Sequence, residues 1–178
     1  MESTILAISE TWLDDKTEFH LNGYNVHFNS IGPGKGLALY YKPGTFKTCM
    51  NIKQEKMQIT KLESADLEVI KVYRSEQGNL AELIEHIKKL ITPGITTIVC
   101  GDFNICYMSN KPNKVTQWLE KNEFTQLMDE ATHIKGRHLD HFYFRPSSSI
   151  LKKPSIYRYS PYYSDHDAIC ATIFLTHM

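Results

Sequence analysis

The side chains in this sequence that could do chemistry collect at the ends of apolar runs. Gly101-Asp102-Phe103-Asn104 directly follows Thr96-Thr97-Ile98-Val99-Cys100, a compact buried-strand pattern. A carboxylate and an amide two residues apart are thereby delivered on one side of an extended chain to a sheet edge, free to meet a ligand. Gly, Asp and Asn are also common turn residues, so an ordinary turn reads the same way. Ser164-Asp165-His166-Asp167 stands just before the last strand-like stretch and sets an imidazole between two carboxylates. Flanking carboxylates raise the imidazolium fraction near neutral pH, which suits His166 to stabilising developing negative charge or protonating a leaving oxygen. A solvated strand start is the alternative.

Asp140 alternates into a strand whose other members are large and apolar, so its carboxylate needs a partner. His166 is the natural one, because an Asp bound to one imidazole nitrogen fixes the tautomer and aims the other nitrogen at a substrate; Arg137 and Arg145 compete for it. Glu10 in Ser9-Glu10-Thr11-Trp12-Leu13 follows the first apolar run and could supply a hard oxygen ligand to Mg²⁺, or equally be a helix-start acid. Tyr73 and Arg74 end an alternating strand and offer a phenol and a guanidinium to an anion, although a strand-end Tyr is commonly a rim aromatic.

These groups have to be positioned by strands at 5–8, 24–28, 37–41, 67–73, 96–100, 139–144 and 168–175, each apolar or alternating. One helix runs from an Asn79 cap through Leu80, Leu83, Ile84, Ile87, Leu90 and Ile91 to a Pro93-Gly94 stop. A second spans 115–121, with Val115, Trp118 and Leu119 at core-facing spacing. Strands and helices are interspersed without repeat or linker, so residues 1–178 read as a single α/β domain whose many strands and few helices favour stacked sheets flanked by helices.

With 20 basic against 20 acidic side chains the chain is neither a polycation nor an acidic tail, and nucleic-acid contact must come from local patches. One such patch is residues 131–163, where six basic side chains, Lys135, Arg137, Arg145, Lys152, Lys153 and Arg158, face the single acid Asp140. Tyr157, Tyr159, Tyr162 and Tyr163 are interleaved with them, a composition suited to phosphate contacts and to packing on sugars or bases. The start lacks a basic, long apolar leader and no run approaches the roughly 18 apolar residues of a membrane span, so an intracellular protein, nuclear or cytoplasmic, with no membrane partner is expected. The 4 cysteines are scattered without a C-x-x-C pair and read as reduced, buried thiols. His133, His138 and His141 imitate zinc spacing. No cysteine or carboxylate completes the set nearby, however, and His138 and His141 would point to opposite faces of a strand.

Taken in order, Ser-Glu-Thr-Trp-Leu, Val-Tyr-Arg-Ser, Gly-Asp-Phe-Asn, Leu-Asp-His-Phe and Ser-Asp-His-Asp resemble the signature set of the endonuclease/exonuclease/phosphatase superfamily, the deoxyribonuclease-I-like fold. The glycine-rich 34–42 segment and Ala131-Thr132-His133-Ile134-Lys135-Gly136-Arg137-His138-Leu139-Asp140-His141 are similar to segments of retrotransposon endonucleases of the apurinic type. The resemblance implies a four-layer α/β sandwich with two stacked, mostly antiparallel sheets flanked by helices. It implies a Mg²⁺-dependent endonuclease of mobile-element type, with Mn²⁺ as a substitute, that nicks DNA to 3′-hydroxyl and 5′-phosphate ends. Glu10 would bind the metal, with Asp165 as a further metal or hydrogen-bonding group. Asp102 and Asn104 would position the attacking water, Tyr73 would contact the scissile phosphate, and His166, oriented by Asp140, would stabilise the transition state. Arg74, Arg137, Arg145, Lys152, Lys153 and Arg158 are the candidate substrate cations.

Nothing upstream of Glu10 matches the asparagine-bearing first strand of the resembled family, so an N-terminally truncated form is expected. Its partner would be a missing N-terminal segment or a self-associating sheet edge. Two other activities remain as alternatives: a catalytically silent relic that binds nucleic acid or protein, and a phosphodiesterase or phosphatase on a small or lipid substrate.

Overall fold

The computed structural model describes residues 4–12, 19–32, 35–109, 113–147 and 154–174. Their elements are, in chain order, β1 (Ile5–Ser9), β2 (Asn25–Asn29), β3 (Leu37–Tyr41), β4 (Lys47–Gln54), β5 (Met57–Glu63), β6 (Leu67–Arg74), α1 (Leu80–Leu90), β7 (Thr96–Asp102), α2 (Lys114–Lys121), β8 (Thr125–Gln126), β9 (Asp140–Arg145), β10 (Ser155–Tyr159) and β11 (Ala168–Thr172).

A six-stranded sheet in the order β4-β5-β6-β7-β9-β8 forms the middle layer. Its central strands β6 and β7 are buried at every position and run parallel, while every other pairing is antiparallel. A parallel pair needs a crossover, and α1 supplies it. Asn79 Oδ1 caps α1 by accepting from the Ala81 and Glu82 amides at 2.9 and 3.3 Å, and Gly94, at φ 79°, turns the chain beyond the helix. Leu83, Ile84, Ile87 and Leu90 are buried against Ile59, Ile70, Val72, Val99 and Tyr143 of the sheet, each such side chain contributing about 1.5–3 kcal/mol. Val115 and Leu119 of α2 join the same cluster, so both described helices cover one face of the sheet.

Alternate positions of the same strands point the other way. Leu67, Val69, Ile98, Cys100, Phe142 and Phe144 form a second cluster against Ile5, Ile156, Ile169 and Ala171. Those partners belong to two smaller antiparallel sheets, β1-β3-β2 and β10-β11, which make the facing layer. The stacked-sheet α/β sandwich expected from the sequence is therefore the architecture found. Among the described residues no helix is long and apolar enough to cross a membrane.

The β4–β5 hairpin and β10 escape sequence reading because their polar residues conceal the strand pattern. Lys61 is buried in β5, yet its ammonium contacts Glu63 at 2.6 Å and Glu68 at 2.7 Å and donates to the Leu90 carbonyl. Its charge is matched inside the protein, so a polar letter there does not mark an exposed position.

Candidate active site

Register places three of the expected side chains side by side. Tyr73 pairs with Asp102 across β6–β7, and Asp102 with Asp140 across β7–β9, so three adjacent strand ends present them as a row. All three share the alternation of Val69, Cys100 and Phe142 and so face the space between the layers. The end of β1 brings Glu10 over this row, and the segment before β11 brings His166. Tyr73 hydroxyl donates to Glu10 Oε1 at 3.3 Å, and Asp140 Oδ2 lies 2.7 Å from His166 Nδ1.

Close approach at the row depends on Gly101. At φ 138° it takes a backbone conformation that side-chain-bearing residues rarely adopt, and a Cβ there would lie 1.9 Å from the Val72 carbonyl oxygen. Asn104, at φ 48°, folds back onto Asp102: its backbone N–H donates to Oδ1 at 2.8 Å and its Nδ2 to Oδ2 at 3.1 Å. The same Nδ2 donates to the Arg74 carbonyl at 2.9 Å, which leaves Asn104 Oδ1 as the atom available to a water. The expected pairing of carboxylate and amide is thus a hydrogen-bonded turn. Glu10 also stands at positive φ, 51°, so two non-glycine residues carry left-handed strain at this one place.

The electrostatics follow from burial. Asp102 is 1% exposed; burial, with the Asp140 carboxylate beside it, pushes its carboxyl up to about 7, against the pull of the Asn104 N–H. The hydrogen bond to Asp140 holds the His166 imidazolium, pushed up to about 9. Burial, followed by the Glu10 and Asp102 charges, raises the Tyr73 phenol, which therefore stays a protonated donor. Glu10, Asp102 and Asp140 thus crowd a site whose cation is His166. Oxygen donors with uncompensated negative charge fit a hard divalent cation, and Glu10 is the carboxylate set to meet one, since both Asp102 oxygens are engaged by Asn104.

His133, Asp165 and His166 form a second cluster, with candidate ligand atoms within 4.8 Å of one another. The Lys135 N–H donates to His133 Nδ1 at 3.0 Å, which puts the ring proton on Nε2, 3.4 Å from Asp165 Oδ2. That nitrogen is a donor to the carboxylate and not a metal ligand, so the proton that holds this cluster together also closes it to an ion. His133 is buried and meets the His166 ring edge-on at 4.8 Å. Thr132 ties the neighbourhood together: its hydroxyl accepts from the Leu139 and Asp140 amides at 3.1 and 3.0 Å, and its carbonyl accepts from the Asp167 amide at 2.7 Å. Sequence reasoning gave neither residue a role, although both lie in the segment that carried the resemblance.

The expected cations are mostly elsewhere. Arg74 is buried, and its guanidinium donates to the carbonyls of Phe103, Glu76, Gly78 and Asn104, which makes it a brace under the Asp102 loop and not an anion contact. Arg145 sits at the far end of β9, opposite Thr97, and lies over the Phe124 ring. Arg158 is held by Glu130 and Asp167, both at 3.1 Å, and Arg137 stands 3.6 Å from Glu76. Lys152 and Lys153 lie outside the described residues. His138 and His141, expected on opposite faces of one strand, are neighbours with ring centroids 5.3 Å apart, because His138 precedes β9.

The profile of the Endonuclease/Exonuclease/phosphatase family matches residues 2–166. Among solved structures the chain is similar to the endonuclease domain of TRAS1, a telomere-specific non-LTR retrotransposon, at 16% identity and TM-score 0.70, covering 97% of this chain and 86% of that one. It is similar to an AP endonuclease from Archaeoglobus fulgidus at 17% identity and TM-score 0.71, covering 96% and 88%. It is also similar to truncated Caenorhabditis elegans TDP2 at 16% identity and TM-score 0.62, covering 96% and 84%. At these identities the shared property is the fold. No curated protein sequence matches significantly.

Proposed function

The chain belongs to the endonuclease/exonuclease/phosphatase family, and from that premise we propose that it is a divalent-metal-dependent endonuclease of mobile-element type. In this reading it nicks DNA by water attack on a phosphodiester and leaves 3′-hydroxyl and 5′-phosphate ends. The observation that carries the reading is the register row Tyr73, Asp102, Asp140, capped by Glu10 and by an imidazolium held on Asp140. Phosphodiester hydrolysis needs an oriented water, an oxygen-ligated hard cation and a stabiliser of developing charge, and these residues offer all three.

Glu10 would hold the cation, Mg²⁺ or Mn²⁺, which would supply Lewis-acid polarisation of a phosphoryl oxygen, while Asp165, turned to His133 at 3.4 Å, would serve as the hydrogen-bonding group beside His166. Asp102, with a carboxyl near neutrality and both oxygens fixed by Asn104, accepts the proton of the attacking water, while Asn104 Oδ1 orients that water. Tyr73, whose hydroxyl donates to Glu10 in the free protein, would turn that proton toward the scissile phosphate once Glu10 holds the cation. His166 presents Nε2 to the charge that builds on the phosphoryl oxygens, while Asp140 fixes its orientation. The mobile-element assignment rests on the 34–42 and 131–141 segments, which are similar to those of retrotransposon endonucleases.

A substrate panel tests the reading: supercoiled plasmid DNA, inositol phosphates and p-nitrophenyl phosphate, each with Mg²⁺. The reading expects plasmid nicking with ends that a ligase reseals, unaffected by excess inositol phosphate. Phosphate release from the small esters without nicking would replace it with a phosphatase.

A further inference from the structure

Tyrosines crowd the chain just before His166. Ser160-Pro161-Tyr162-Tyr163-Ser164 links β10 to Asp165, and Tyr162 is 97% exposed and Tyr163 78%, their rings edge-to-face with centroids 5.4 Å apart. Tyr157 and Tyr159 are more than half exposed as well. In the β10–β11 register they stand opposite Cys170 and Ala168, on the face turned away from Ile156, Ile169 and Ala171, which pack into the core. Solvent-facing strand positions are ordinarily polar, so this run of rings is the anomaly of the surface.

The base of the loop is fixed. His166 N–H donates to Ser164 Oγ at 3.0 Å and the Ile134 N–H to the Asp165 carbonyl at 3.0 Å. Tyr163 precedes His166 by three residues, so its backbone lies within about 10 Å of it. That distance spans only one or two nucleotides, and bases flanking a phosphate held at His166 come within reach of both rings.

Three of the expected cations are engaged elsewhere. Arg158 is neutralised by Glu130 and Asp167, Arg137 stands against Glu76, and Arg145 lies at the other end of the sheet. The loop itself, residues 160–164, presents aromatic and no cationic side chains. In intact duplex the base faces are already stacked and covered, so tyrosine rings find a partner only where a base is unpaired.

We propose that Tyr162 and Tyr163 form a stacking site for unpaired nucleobases beside the scissile phosphate, so that the protein takes single-stranded, gapped or frayed nucleic acid in preference to intact duplex. This rests on the nuclease reading for the position of the phosphate, but the stacking is measurable without catalysis. Because stacking and not phosphate neutralisation dominates, affinity falls only shallowly with salt.

The test uses the full chain with His166→Ala, in EDTA, and fluorescence anisotropy of a labelled 12-nucleotide single strand or its blunt duplex at about 50 and about 300 mM salt. The expected result is single-strand binding at least about tenfold tighter than duplex. It should weaken about tenfold in Tyr162→Ala and Tyr163→Ala and be retained in Tyr162→Phe and Tyr163→Phe. Equal affinity for the two forms, no measurable binding, or no effect of the alanine variants overturns the proposal. So does tyrosine-dependent binding to phosphatidylserine vesicles without oligonucleotide binding. Wild-type nicking with no single-strand preference leaves the nuclease reading standing and removes this inference; single-strand preference without any nicking does the reverse.

Discussion

Asp140 at the start of β9 and His166 in the segment before β11, 26 positions apart, share a hydrogen bond of 2.7 Å between Oδ2 and Nδ1. Thr132 holds both ends of this relationship, through the Asp140 amide on its hydroxyl and the Asp167 amide on its carbonyl. The pair therefore depends on a clamp between layers as well as on its own charge. Asp140→Asn keeps the shape and removes the charge, so nicking should slow by about 100-fold while the far-ultraviolet circular dichroism is unchanged. A rate within threefold of wild type would remove the pair from the mechanism.

Arg74 separates structure from substrate binding. Its four backbone acceptors tie the end of β6 to the turn before α1 and to the Asp102 loop. Lysine keeps the charge but cannot reproduce the planar fork. Arg74→Lys should cost about 3 kcal/mol in urea unfolding because it leaves buried carbonyls unpaired. Unchanged stability with a raised KM would instead make Arg74 an anion contact.

Gly101 sets the distance between β6 and β7. Gly101→Ala brings a methyl group to 1.9 Å from the Val72 oxygen at φ 138°, so the strands must part. A loss of more than about 2 kcal/mol is expected, against about 1 kcal/mol for Gly44→Ala, which meets open space at φ 76°. Equal costs at the two positions would mean that β6 and β7 tolerate a wider spacing.

Buried His141 links stability to acid. Its Nε2–H donates to the Ile105 carbonyl at 2.8 Å, its Nδ1 accepts from the Tyr143 hydroxyl at 3.2 Å, its ring stacks on Phe103, and burial pulls its pKa down to about 4. Its folded value lies below its unfolded one, so its contribution is fully present above about 6.5 and is lost as pH falls from there toward 4. His27, His133 and His138 are lowered as well and act in the same direction. Asp102, raised to about 7, opposes them over the same range, so the effect is read by difference: in urea unfolding between pH 6.5 and 4.5, His141→Gln should remove a loss of up to about 1.4 kcal/mol per pH unit that the wild type carries. An unchanged slope in the variant would show that His141 titrates normally in the folded protein.

The strand ends were legible in the sequence because apolar runs stop abruptly at acids. Cys100 to Asp102 and Phe142 back to Asp140 mark the sheet edge directly, and the Asn79 cap and the Pro93-Gly94 stop mark α1. Single-residue alternation, read from the alphabet alone, could not show that register sets Tyr73, Asp102 and Asp140 in one row, since pairing is a long-range property. The cations were misread for a related reason: a guanidinium looks the same in sequence whether it meets four carbonyls, as in Arg74, two carboxylates, as in Arg158, or a phosphate. The Lys61, Glu63 and Glu68 network concealed β5 by the same ambiguity.

The central claim is that this row of residues hydrolyses DNA with the help of a divalent cation. The most direct measurement is nicking of supercoiled plasmid by the wild-type chain and by Asp102→Asn, each folded by circular dichroism, with Mg²⁺ and with EDTA. The account predicts open-circle DNA from wild type with Mg²⁺ only and a loss of at least about 1000-fold in Asp102→Asn. Nicking that survives EDTA or the substitution, or its absence from folded wild-type protein with Mg²⁺, would contradict it.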